Sequence, residues 1–234
     1  MFTRSLSAIL ALVLLLSLTA CVGQQGGQRG RNITVTPTGE YATIDMTASE
    51  KLMKSLQSTS QSVRDQAVQE VLDTPQSVIP PVLCQLSAVL FERGEKDEAA
   101  FWFQAGRLRA RYDANRCADI SAREAVGVLN QRYGPNVNKY LFQDDERLKR
   151  TVYRAVEWEE KTPHDYDHRW INLHGLHAIQ SGLDPNGKSA KAPLSLPEDQ
   201  WPRIAQETRD NYLKGLDQAL ETIAKIRAQQ PAAN

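Results

Sequence analysis

All four histidines of this 234-residue chain fall within sixteen residues, Thr162 to His177. His164 and His168 flank Asp165 and Asp167, while His174 and His177 stand three apart on a predicted helix and share one face. Imidazole and carboxylate together suit zinc or copper. A zinc site needs three or four ligands converging at about 2 Å, and neither an HExxH-like motif nor a paired CxxC enforces convergence here. Two readings stand. One is a metal site built from His164, His168, His174 and His177. The other, which is favoured, is an aromatic-rich helix in which Trp170, Leu173 and one of His174 and His177 face the core, with Asp165, Tyr166 and Asp167 capping its start. Gly175 costs about 1 kcal/mol against alanine inside such a helix and is expected to admit another backbone at close range.

No other constellation points to catalysis. The sequence has no GxSxG elbow, no glycine-rich phosphate loop and no Cys/His pair in a recognisable frame. Glu98, Glu124, Glu157, Glu159 and Glu160 read as solvated helix faces or cap charges. No catalytic residue and no cofactor is expected.

The chain begins with Arg4 and an apolar run from Leu6 to Leu18. About a dozen apolar residues make a signal-peptide core, whereas a membrane span needs about 20. The run ends in Leu18-Thr19-Ala20-Cys21, which resembles the lipobox of bacterial lipoproteins. That resemblance implies a signal peptide over residues 1–20, acylation of Cys21, and a mature chain anchored by its lipid and facing the periplasm. Val22, in place of Asp, implies the outer membrane. Stable anchoring takes about two acyl chains, which the implied modification supplies. Removing residues 1–20 takes away one base, Arg4, and no acid, so 28 basic and 28 acidic residues become 27 and 28. Without a basic excess there is no electrostatic footprint for nucleic acid.

Residues 21–46 are rich in Gln, Gly, Thr and Pro and read as a flexible tether. Ile33 to Ile44, with Val35 and Tyr41, could instead be an extended segment laid on the domain. Residues 47–230 read as the folded domain. Thr47-Ala-Ser-Glu50 fits a capping box ahead of Leu52, Met53 and Leu56, and Ser62 to Leu72 gives a second short helix. Pro80-Pro81 suits a helix first turn, followed by an apolar stripe that ends at Gly94. The next helix carries Asp97-Glu98 in its first turn and is expected to end near Arg107, Arg109 and Arg111, as the macrodipole prefers. Ala118 to Leu129, Asp144 to Glu160, Arg169 to Gln180 and Trp201 to Arg227 are further helices, with Ser181 to Pro197 a loop. The fold class is all-α, a non-repetitive bundle of antiparallel helices.

The spacing Leu83, Leu86, Ser87, Leu90, Gly94, Ala99, Phe103, Gly106 resembles one tetratricopeptide or Sel1-like hairpin. No second copy follows at a fixed period, and such units need about three copies to make a solenoid. Cys84 sits early in the first hairpin helix and Cys117 just beyond the far end of the second, where the antiparallel return brings the chain back toward Pro80, so a disulfide between them is expected; two buried free thiols are the alternative. Phe101, Trp102 and Phe103 span about 200° of one helix at about 100° per residue, so they cannot all face one neighbour. Burial between two layers is favoured, and Trp102 in an exposed partner-binding patch is the alternative. The expected function is a membrane-anchored binding or scaffolding lipoprotein that contacts another envelope or periplasmic protein, with immunity-type toxin neutralisation as one form. The alternative is a periplasmic metal-binding protein using residues 164–177.

Overall fold

Three consecutive aromatic residues need two packing layers, and the helix that carries them, α4 (Lys96–Arg116), is the axis of the molecule. The structure is a computed structural model that describes residues 36–184 and 193–229. The signal peptide expected over residues 1–20, Cys21 and residues 230–234 therefore lie outside the described residues. The described part is an all-α bundle. Besides α4 it contains α1 (Thr47–Leu56), α2 (Gln61–Asp73), α3 (Pro80–Glu92), α5 (Glu124–Leu141), α6 (Asp145–Lys161), α7 (Leu176–Leu183) and α8 (Trp201–Gln229).

The α3/α4 hairpin turns at Gly94, whose φ of +86° lies in the left-handed region that glycine adopts without strain. Gly106 sets the approach of the two helices. A Cβ there would stand 3.2 Å from both Leu83 Cβ and the Pro80 carbonyl oxygen. Ser87 Oγ donates to the Ala99 carbonyl at 2.6 Å, which satisfies a buried hydroxyl across the pair. The α1/α2 hairpin packs on α3, while α5, α6 and α8 surround the rest of α4. Phe101, Trp102 and Phe103 are all buried as a result.

Four expectations about elements need correction. Helix α4 continues past Arg111 to Arg116, so Arg107, Arg109 and Arg111 sit in mid-helix and do not serve a C-terminal dipole. Helix α5 runs to Leu141 through Pro135, well beyond Leu129; Gly134 keeps this stretch against α4, because a Cβ there would come within 3.0 Å of Phe103 Cζ. The stretch from Arg169 to Gln180 is not one helix but a 3₁₀ segment, His168–His174, joined to α7 at Gly175. At α1 the opening contact is Asp45 Oδ1 accepting from the Thr47 N–H at 2.8 Å, so the cap comes from Asp45 and not from Thr47.

The expectation that residues 21–46 are a tether is also corrected where it reaches the described residues. Ile44 is buried, Thr38 Oγ1 donates to the Ser181 carbonyl at 2.8 Å, and Arg169 Nη1 donates to Thr43 Oγ1 at 3.2 Å. Residues 36–46, including the 3₁₀ turn Gly39–Thr43, are thus laid on the domain.

Candidate functional site

The histidine segment does not form a metal site. His164 lies between the rings of Tyr112 and Tyr166, at 5.2 and 5.9 Å, with Nε2 3.2 Å from Glu159 Oε1. His168 contacts Ser195 Oγ at 2.8 Å and packs on Trp201. His174 stands edge-on to Trp170, and His177 is at the surface 3.8 Å from an Asp119 oxygen. Each imidazole belongs to a different neighbourhood. Among the described residues no group of three or more His, Cys, Asp or Glu could hold a metal ion. The favoured alternative holds in part: Trp170 is in the core and Asp167 caps the 3₁₀ segment by accepting from the Arg169 N–H, but His174 and His177 are both exposed.

The cysteine pairing is corrected as well. Cys84 and Cys117 are free and buried. A Cβ on Gly106 would lie 2.9 Å from Cys84 Sγ, so Cys84 is abreast of Gly106, and Cys117 follows eleven residues later along α4. At 1.5 Å per residue that is about 16 Å, against the roughly 6 Å between Cα atoms that a disulfide needs. The extra turn and a half of α4 carries Cys117 away from its expected partner. Trp102 is also not a surface residue. It is 6% exposed, with ring centroids of Phe101 and Trp158 at 4.7 and 5.4 Å.

One face of α4 buries charge instead. The Asp113 carboxylate accepts from Arg116 Nη2 at 2.7 Å, Trp170 Nε1 at 2.7 Å and Tyr166 Oη at 3.0 Å. Arg109 donates to the carbonyls of Thr162 and Pro163 and stacks on Trp158 at 4.2 Å. Burial pushes Asp113 above its ordinary pKa, opposed by Arg116 and by the Trp170 hydrogen bond. At Glu159 burial also raises the pKa, but His164 and Arg209 outweigh it and hold the carboxylate below its usual range. These groups are sealed inside, and what they do is fasten the 162–170 segment onto α4.

The opposite face of α4 opens into a cleft of about 680 Å³ between α4, α5, α6 and α8. Gln104, Arg107, Arg111 and Asn115 recur every three or four residues along its floor. Asn130 and Asn138 of α5 form one wall, and Thr208, Asn211 and Tyr212 of α8 the other. Tyr212 Oη donates to Gln104 Oε1 at 2.5 Å, and Asn115 Nδ2 to Thr208 Oγ1 at 2.8 Å, which fixes α8 against the floor. The Arg107 guanidinium is held 5.4 and 5.7 Å from the ring centroids of Phe103 and Tyr212. Neither Arg107 nor Arg111 makes an ion pair with a described residue, and the lining contains no carboxylate. Partial burial and the neighbouring Arg107 both lower the pKa of Arg111. Glu124 acts on Arg111 only from beyond ion-pair distance, and two guanidinium groups amid amides make a preformed site for negative charge and peptide-like polar groups.

Sequence reasoning missed this site because its residues come from four helices and belong to no motif. The only usable signal was Arg107 and Arg111 four apart on one helix face without an acid at the matching positions. Family models, curated proteins and solved structures compared with this chain give no match.

Proposed function

We propose that the chain is a lipoprotein, anchored through Cys21 and facing the periplasm, whose helical domain binds another envelope protein in the cleft between α4, α5 and α8. The single observation that carries this reading is the pair Arg107 and Arg111, both without an acidic partner, in the amide-lined cleft. An acidic, extended segment of the partner fits that chemistry. Its carboxylates would take the guanidinium groups, and its main chain would pair with Asn115, Asn130 and Asn211. Toxin neutralisation of the immunity type is one form of such binding, and envelope assembly is another.

The test is in-cell crosslinking and capture of the lipidated protein, run in parallel with Arg107→Gln/Arg111→Gln. Hydrogen bonds to charged groups contribute about 1.5–3 kcal/mol each, so the double variant should lose the dominant partner by at least tenfold. Equal recovery of that partner with both proteins, or recovery of background proteins alone, refutes the proposal. If the recovered protein kills cells when the lipoprotein is deleted, neutralisation is the function.

A further inference from the structure

The eight residues of α7 display their apolar side chains outward. Leu176, Ile179 and Leu183, at positions i, i+3 and i+7, are 58, 42 and 64% exposed, while Ala178 faces inward at 6%. Ile120, 68% exposed on the preceding 3₁₀ turn, joins this face, since the Leu176 N–H donates to the adjoining Ser121 Oγ at 2.8 Å. A helix on the surface of a water-soluble domain turns such a stripe to the core. The remaining exposed large apolar residues stand singly along the chain: Val63 and Leu72 are nine residues apart on α2, Val128 and Phe142 fourteen apart on and just after α5, and Tyr153 and Ile226 lie on α6 and α8. This face is also held firmly. The Asp119 carboxylate accepts from the His177 N–H at 2.9 Å and from the Ser121 N–H at 2.9 Å, pinning the first turn of α7 to the rest of the domain.

What covers the face is indicated by where the N-terminal chain reaches the domain. Thr38 Oγ1 donates to the carbonyl of Ser181, on α7 itself, between Ile179 and Leu183. Thr38 is seventeen positions after Cys21. A Gly-rich stretch of that length has a root-mean-square span of about 23 Å and a limit of about 60 Å. An acyl chain on Cys21 would therefore hold the domain near the bilayer by a leash that joins it at α7, which puts the α7 face in reach of the membrane surface.

We infer that Ile120, Leu176, Ile179 and Leu183 form a membrane-docking face that rests in the interfacial layer of the bilayer when the protein is anchored. The inference rests on the lipid anchoring proposed above. Docking orients the molecule and turns the lipid from a loose leash into one of two attachments. Short amphipathic helices with exposed Leu and Ile bind bilayers in this way, with the apolar face in the headgroup and acyl boundary.

The experiment uses the full mature lipidated chain in phosphatidylethanolamine/phosphatidylglycerol vesicles. Ile179→Cys or Leu183→Cys is labelled with an environment-sensitive fluorophore, with Glu70→Cys on α2 as the control. Cys84 and Cys117 are buried and leave the introduced thiol as the one that reacts. The expected result is blue-shifted emission at both α7 positions and quenching by spin-labelled lipid at least threefold stronger than at Glu70→Cys. Protein that floats with the vesicles while all three positions quench equally overturns docking and leaves anchoring intact. A blue shift already present without lipid assigns the face to a second copy of the chain and also overturns it. Failure to float at all overturns both the anchoring and the docking.

Discussion

Replacing Gly175 by alanine should unfasten α7 through one atom. The φ of Gly175 is −89°, which alanine adopts freely, so the effect is steric and not conformational. The new Cβ would stand 2.2 Å from Asp119 Oδ2 and 2.8 Å from its Cγ. The carboxylate has to swing away, abandoning the His177 N–H at 2.9 Å and loosening its bonds from the Ser121 N–H and hydroxyl, at 2.9 and 2.5 Å. Asp119 is 5% exposed, so the displaced charge has little water to turn to. A helix cap contributes about 0.5–2 kcal/mol and a charge-assisted bond about 1.5–3, which sets the expected loss at about 2–3 kcal/mol. For a domain of this size that lowers Tm by about 4–12 °C. Asp119→Ala should cost about the same, because it removes the same bonds. The double variant is the decisive measurement. Once Asp119 is gone, the nearest of the remaining neighbours is Ala122 Cβ at 3.4 Å, and the added methyl fits. Denaturant melts should therefore show a double variant no worse than Asp119→Ala alone. Additive costs, within about 0.5 kcal/mol of the sum, would refute the steric account.

Three further outcomes follow from the buried groups. Asp113→Ala strands the Arg116 charge, the Tyr166 hydroxyl and the Trp170 N–H, and should destabilise by about 3–5 kcal/mol, with Asp113→Asn costing less than half of that in the same melts. His168 is held at about 4 by burial and by nearby Arg116, against 6.5 for a free imidazole. The unfolded chain therefore takes up a proton that the folded one refuses as pH falls from 6.5 to about 4, and stability declines across that window and no further below it. Discounted for the partial exposure of His168, the decline is about 1–2 kcal/mol; His168→Gln should remove this contribution, and an unchanged pH slope would contradict it. Burial pushes the Cys84 thiol up to about 12 and Cys117 up to about 11, so both should resist thiol reagents in the native protein and react in denaturant, whereas a bridged mass in the non-reduced protein would contradict the free pair.

The legible parts of the fold were those set by local pattern. Pro80-Pro81 and Gly94 bracket α3, and Asp144 does cap α6 by accepting from the Arg147 N–H at 3.0 Å. What stayed hidden depended on partners far away in sequence. A run of Arg107, Arg109 and Arg111 looks like a helix end, yet the middle arginine is buried because Thr162 and Pro163 lend it their carbonyls. The helix then continues, and the expected disulfide fails with it. Gly175 was rightly marked as a place of close approach, but the visitor is a carboxylate and not a backbone. The cleft was illegible for a related reason. Asn and Gln on a helix look the same whether they face open water or another helix 100 residues downstream, as Gln104 does with Tyr212.

The position of α4 also sets an order on how this protein can assemble. As the chain emerges from its N-terminus, α3 and α4 can pair at once, because only Arg93, Gly94 and Glu95 separate them. The charged side of α4 has to wait. Arg109 and Asp113 meet their partners more than fifty residues later, and Asn115 and Gln104 meet Thr208 and Tyr212 after ninety or more. Loop closure over such separations slows folding, and until it happens the arginines and carboxylate of α4 keep the half-made hairpin wet. A nascent chain of this design stays open until α8 arrives, so a stop codon or a proteolytic cut before Trp201 would remove the element that completes the domain.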